Sequence, residues 1–432
     1  MSDARDPYPD ALRAIALLIV VLGHWVATLP RLEEGMLVET GHILDAWPPA
    51  GFFTWIIQVV PLFIFVSAAV SSEGVQERYR SGEPHAHWWA GRALGLARPT
   101  VTYLAVLAGF VGISFFTRDG VLGPLNQSLT VHLWFLLILL GVQLVLPLSV
   151  WADRRFGLWS PAMLIVAIAV VDLLRSQPAA LDEWASFGQL VTSDHDYFAW
   201  ISTIFFWLLP QQLGIAWWNG RFFGRRTGAV LMIFGLTWLL AAVALGYPPS
   251  MVNGNPGGET NLLPPTLALL GVMWFQVGLV VLFEKPVRRF LQRRHLGRWM
   301  AMIGAFGLQL YLWHKLAELP AAWLGQRLGW PIDAGMPGEP GFWIGRLEWI
   351  GLCILIMVPV LAVVVIFERS RKQDVPATTD HRRIATGGLA LFLALSISLG
   401  LGAHPGSLIG LPLVALASWL LRSPARPDSA SH

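Results

Sequence analysis

This chain is short of the materials from which soluble proteins are built. Only 13% of its 432 residues are charged, against about 25% in a typical soluble domain. It has a single cysteine, Cys353, inside an apolar run. That excludes an intrachain disulfide framework and a cysteine-based metal site, and a lone cysteine in such a run is expected to be packing material. There is no G-x-S-x-G elbow, no phosphate-binding loop and no H-E-x-x-H pair, so three common routes to hydrolase, nucleotide and zinc chemistry are missing. No group of histidines and carboxylates has clear metal-ligand spacing, and no metal is expected. No internal repeat is visible, including the inverted repeat that marks many secondary transporters. The first apolar run lacks a small-residue cleavage site and is followed by many equivalent runs, so it is not a signal peptide.

What is present is apolar. The hydrophobic share is 55% and the mean hydropathy is +0.57. Apolar runs near the ~20 residues needed to cross a bilayer predict helices at roughly 10–29, 50–72, 95–117, 130–150, 158–175, 197–218, 227–246, 262–283, 300–323 and 347–367. A shorter hydrophobic pair follows at roughly 384–402 and 407–421. The expected class is all-α and polytopic. Residues 1–367 form a ten-helix core, residues 368–383 a polar linker, and residues 384–432 a hydrophobic hairpin and tail. Both termini are short and polar, and no soluble domain is expected on either.

The net charge of +3 conceals a pattern. With the N-terminus in the cytoplasm, 24 of the 30 lysines and arginines fall on inner segments. Only Arg31, Arg118, Arg175, Lys315, Arg327 and Arg346 lie on or near the other side. This asymmetry is the positive-inside rule at work. It makes the basic balance a matter of topology rather than nucleic-acid binding, and it predicts a multi-pass protein of the cell (inner) membrane. The outer segments are acidic or turn-rich: RLEEGMLVET, DEWASFGQLVTSDHD and GYPPSMVNGNPGGETN. In the last, Glu259 and Asn261 stand beside the membrane, as a plain turn or as the rim of a polar site.

Ionisable residues inside a bilayer are functional candidates. In DALRAIALLIVVLGHW, Arg13 and His24 are eleven residues apart. At 100° per residue they share one helix face, ~16 Å apart along the axis. Arg13 then lies at the inner interface and His24 near mid-membrane, on a face that must look into the protein. The structural alternative has Arg13 snorkelling to lipid phosphates and His24 bonding a neighbouring helix. Asp10 is expected to cap this helix, and its carboxylate is also placed to pair with Arg13.

These residues, and four further segments in order, carry a resemblance. The Arg13-to-His24 signature, PLFIFVSAAV with Ser67, GRALGLARPTVTYL with Arg92 and Arg98, HLWFLLILLGVQLVLP with His132 and Trp134, and GLQLYLWH with Tyr311 and His314 together resemble the membrane acyltransferase 3 family. The resemblance covers residues 10 to about 367. There are departures: Ala68 and Ala69 follow Ser67, Gly95 stands three residues before Arg98, and Leu139 and Leu140 replace paired glutamates.

The resemblance implies transfer of an acyl group, acetyl or another short chain, from cytoplasmic acyl-CoA to a hydroxyl of a carbohydrate or lipid-linked acceptor. No cofactor would be held permanently; acyl-CoA is the donor substrate. His24 would be the general base, by direct transfer or through an acyl-histidine. Arg13, Arg92 and Arg98 would hold the donor's phosphates, if they are not simply positive-inside residues. Ser67, His132, Trp134, Tyr311 and His314 are expected along the acceptor site, each with a structural alternative: Ser67 as helix-packing glue, His132 with Trp134 as an interfacial anchor, His314 as an interhelical bond. His295 is expected at lipid headgroups. The rival reading is a transporter or flippase of a glycan or lipid intermediate, with a non-catalytic scaffold as a third.

Overall fold

The computed structural model describes residues 6–33, 36–117, 125–175, 201–252, 260–293, 296–333, 336–370 and 376–423. The segment DEWASFGQLVTSDHD, Glu259 and His295 lie outside the described residues.

Helix α1 spans Pro7–Ala27. It starts three residues earlier than the apolar run because Pro7 fits the first helical position, where its missing N–H costs nothing. Its cap is Asp6, whose side chain accepts from the Tyr8 amide. The expectation that Asp10 caps the helix is therefore corrected. Asp10 sits in the first turn and pairs with Arg13 at 2.9 Å.

A two-stranded antiparallel hairpin follows, β1 Thr28–Glu33 and β2 Met36–His42. It departs from the all-α expectation, under which these residues are the end of the first helix and an acidic loop. A 3₁₀ turn at Pro48–Phe53 and a short helical turn at Thr54–Ile57 lead to α2, Val60–Ser81. Then come α3 His85–Thr117, α4 Leu133–Phe156, α5 Trp159–Arg175, α6 Ile201–Trp218, α7 Arg225–Ala244 and α8 Leu267–Arg293.

The helix expected at 300–323 is not continuous. It is divided into α9 Leu296–Ala305, α10 Gly307–Trp313, a 3₁₀ turn His314–Ala317 and α11 Glu318–Arg327. The residues give the reason. Glycine at 304 and 307 weakens a helix. Pro320 lacks an N–H and cannot bond back to residue 316, and it sits in the first turn of α11, where that donor would have no helical partner. The chain ends in α12 Phe342–Ser370, α13 His381–Leu401 and α14 Gly406–Leu420.

Among the described residues, eight helices are long and apolar enough to cross a membrane. They are α1, α2 with the turns before it, α3, α4 with the turn Ser128–Val131 before it, α7, α8, α12 and α13. Two shorter apolar helices run over Trp159–Leu173 and Gly406–Leu420. The protein is thus a mostly helical, multi-pass membrane chain; ten core helices and a C-terminal pair were expected, and eight such spans are present among the described residues.

Packing follows membrane rules, in which small residues let backbones approach. On α7, Gly228 and Gly235 face Gly271 and Gly278 of α8; a Cβ at any of the four would collide with the opposite helix. Several helix ends are tied by charge. Asp153, at the end of α4 with no exposed surface, holds Arg221 by two bonds of 2.7 and 3.0 Å and accepts from Asn219 at 2.8 Å. Arg288 of α8 pairs with Asp6 and with Glu284, and its guanidinium lies 5.0 Å over the Tyr8 ring. The α13–α14 hairpin lies against α3 and α4, with Trp89 packed on Gly388.

Candidate active site

Three imidazoles meet where α1, α4 and the broken segment converge. His24 of α1 is half-buried. Its Nδ1 lies 2.7 Å from Nε2 of His314, which is fully buried. The ring centroids are 5.0 Å apart at an angle of 16°. With a nitrogen–nitrogen contact of 2.7 Å, that separation means two rings edge to edge in nearly one plane, the geometry of an in-plane hydrogen bond. The other nitrogen of His314, Nδ1, donates to the carbonyl of Tyr311 at 2.6 Å. Among the described residues nothing bonds His24 Nε2.

The break in the helix is what turns His314 towards α1. In the 3₁₀ turn His314–Ala317 the backbone winds more tightly, and α1 supplies partners for what the break frees. The Trp25 indole donates to the His314 carbonyl at 3.0 Å, and the Trp349 indole donates to the Trp25 carbonyl at 2.9 Å. Lys315 donates to Glu318 at 2.7 Å and to the Thr28 hydroxyl at 3.0 Å. All three of these side chains are buried. Thr28 also lies 3.2 Å from Glu318 and 3.0 Å from the His24 carbonyl. Arg346 closes the group by donating to the Thr28 carbonyl at 2.6 Å. Nearby in the hairpin, burial pushes the His42 imidazole below its ordinary pKa; Asp45 opposes that shift and Lys315 adds to it.

His132, just before α4, is 1% exposed. Its ring stands edge-on to His314 at 5.3 Å, to Tyr311 at 5.5 Å and to Tyr103 of α3 at 5.6 Å. The Tyr311 hydroxyl donates to the His132 carbonyl at 2.6 Å. Four of the expected residues, His24, His132, Tyr311 and His314, are therefore brought together. Trp134 is directed elsewhere, against Trp207 of α6 at 5.7 Å. Ser67 lines a separate narrow cleft with Ser71, Gln143 and Gln211, between α2, α4 and α6.

The expected phosphate-binding arginines also divide. Arg13 is one-quarter exposed and tied to Asp10. Arg92 is exposed, its guanidinium 5.3 Å over the Trp88 ring. Arg13 and Arg78 are close enough to repel it. These three guanidiniums form a basic group at the start of α1, the end of α2 and the start of α3. Arg98 is six residues further along α3, roughly 240° round the helix from Arg92, and so belongs to a different face. α1 and α3 thus run as parallel ladders, each rising eleven residues (~16 Å) from a basic end to the histidine group: Arg13 to His24, and Arg92 to Tyr103.

Over most of its length the chain can be compared with a known family. A family model described as an acyltransferase domain matches residues 6–369. The chain belongs to the acyltransferase 3 family. No curated protein and no solved structure matches it. This membrane acyltransferase carries the matched region from α1 to the end of α12; α13 and α14 lie beyond it.

Several residues of the acyltransferase's histidine group were not singled out from sequence. Lys315 and Glu318 were visible as charges in an apolar run, and their i, i+3 spacing on a helix-like segment was a signal that they could pair. Tyr103, Trp25, Thr28 and Arg346 had no such signal. Their partners are 26 to more than 300 residues away.

Proposed function

We propose that this acyltransferase moves a short acyl group from acyl-CoA to a hydroxyl of a carbohydrate or lipid-linked acceptor, with His24 as the general base. The observation that carries the reading is the state of His24. It is half-buried, bonded through Nδ1 alone among the described residues, and stands ~16 Å along one face from Arg13. A hydroxyl attacks a thioester well only if its proton is removed as it attacks, and a positioned imidazole contributes typically 10²–10⁴-fold to such a step. His24 Nε2 takes the hydroxyl proton as the oxygen bonds to the thioester carbonyl carbon. The carbon–sulfur bond then breaks, and the same nitrogen returns the proton to the departing thiolate. Transfer is direct, with no acyl-enzyme.

The donor's phosphates bind at Arg13, Arg78 and Arg92 by charge-assisted bonds, in a cytoplasmic location set by the positive-inside pattern. The pantetheine arm spans the distance to His24. The protein lies in the inner membrane with its N-terminus in the cytoplasm.

The test is transfer from radiolabelled acetyl-CoA to surface glycans or glycolipids by the purified protein in nanodiscs. His24→Ala is expected to lose transfer by about 10²–10⁴-fold while still binding donor. Wild-type rates in that variant would sink the reading. Passage of an unmodified glycan into proteoliposomes without acyl-CoA consumption would replace it with transport.

A further inference from the structure

We infer that His314 is the positioning residue for this reaction: it fixes which nitrogen of His24 is bare, and so makes that residue a base. The inference rests on the role proposed for His24. A carbonyl oxygen only accepts, so the 2.6 Å contact between His314 Nδ1 and the Tyr311 carbonyl puts a hydrogen on Nδ1. A neutral imidazole has one such hydrogen, so His314 Nε2 is an acceptor. The 2.7 Å contact with His24 then requires His24 Nδ1 to donate, because two bare nitrogens would not approach so closely. His24 Nε2 is left with its lone pair outward. The relay runs Tyr311 carbonyl, His314, His24, acceptor hydroxyl, each link specifying the next.

When His24 Nε2 takes the acceptor's proton, the ring becomes an imidazolium that still donates through Nδ1 to His314. The charge is stabilised by a bond already formed and needs no rearrangement, as preorganised sites require. The relation is that of an orienting group to a catalytic histidine, with a backbone-anchored imidazole as the orienting group. The brace around His314 serves this. Trp25, next to His24, holds the His314 carbonyl. The Thr28–Lys315–Glu318 group ties the end of α1 to the residues just after His314. Ring and partner therefore move as one unit.

The experiment combines kinetics with ¹⁵N-histidine NMR of the protein in nanodiscs. In the wild type, the His24 signals, assigned by their loss in His24→Gln, are expected to show a protonated Nδ1 and a bare Nε2. In His314→Ala the tautomer shifts towards a protonated Nε2. There kcat falls about 10²-fold, within the range for general-base catalysis, with KM for acyl-CoA changed less than threefold. His314→Gln, whose side-chain oxygen can accept from His24 Nδ1, is expected to recover at least a tenfold part of that loss. A wild-type His24 protonated at Nε2, or an unchanged kcat in a folded His314→Ala, overturns the inference. If His314→Ala does not fold, the wild-type spectrum and the glutamine variant still decide. A fully active His24→Ala defeats the base reading itself. An inactive His24→Ala beside an unaffected His314→Ala defeats only the positioning role.

Discussion

The α7–α8 pair and the segment from α9 to α11 are both apolar stretches of the same membrane chain, yet they solve the bilayer problem in opposite ways. α7 and α8 are long helices whose backbones bond within themselves, and they meet through Gly228, Gly235, Gly271 and Gly278. The α9–α11 segment is broken three times and contains His314, Lys315 and Glu318 in or beside its 3₁₀ turn. Lipid cannot bond an irregular backbone, so such a stretch persists only where protein covers it and meets its polar groups. Trp25 of α1 and Thr28, which follows that helix at the start of β1, do this, with Arg346 of α12 joining them. The regular pair contributes shape, and the broken segment gathers polar side chains, because the partners that its irregular backbone demands also bring ionisable groups into one place.

The contrast can be broken most severely at Glu318. Its replacement by alanine leaves the Lys315 ammonium buried without its anion, and losing one partner of a buried pair costs about 3–5 kcal/mol. A large fall in thermal midpoint, with loss of transfer activity, is expected. The double variant Lys315→Met with Glu318→Leu, which removes both charges, should recover much of the midpoint but not the activity. Recovery of both would show that the group only fills space.

A smaller effect is expected on the regular side. Gly235→Ala places a methyl group against the backbone of Phe275, where neither helix can give way. Overpacking of this kind costs about 1–3 kcal/mol. It should appear as a lower midpoint with kcat unchanged in the molecules that remain folded. The smallest change has the opposite sign. At Gly304, in the broken segment, a Cβ meets nothing within 4 Å. Gly304→Ala should stabilise by up to about 1 kcal/mol through the unfolded chain's lost freedom, read as a small rise in midpoint. Equal losses at the two glycines would erase the distinction between the regions.

Much of this was legible from residues alone. The Arg13–His24 face needed only a helix and a count of eleven residues. GLQLYLWH carries Tyr311 and His314 as candidates on its sequence alone. What could not be read has a common cause. The hairpin over residues 28–42 reads in sequence as the end of the first helix and the acidic loop RLEEGMLVET, because strand pairing depends on a partner, whereas helix periodicity does not. Apolarity begins at Asp10 and so points to it as the cap, although Asp6 and Pro7 start the helix sooner. The 300–323 stretch reads as one span because it is mostly apolar, while Gly304, Gly307 and Pro320 act locally on the backbone. Ser67 and Trp134 were grouped with the histidines by motif order, but the fold directs one to a cleft beside Gln211 and the other to Trp207.

The sequence by itself determined that the chain lives in a bilayer, that its cations gather at one end of its helices, and that α1 bears an arginine and a histidine on one face. These follow from composition and from the 3.6-residue turn, which need no neighbours. Only the tertiary structure decided that His24 faces His314 and that His132 and Tyr103 close around them. It also decided that Lys315 is neutralised by Glu318 and held by Thr28. Those pairings join residues that, for the links to α1, lie nearly 290 positions apart. Only a packed set of helices, shedding lipid from the polar groups between them, can bring them within hydrogen-bond range.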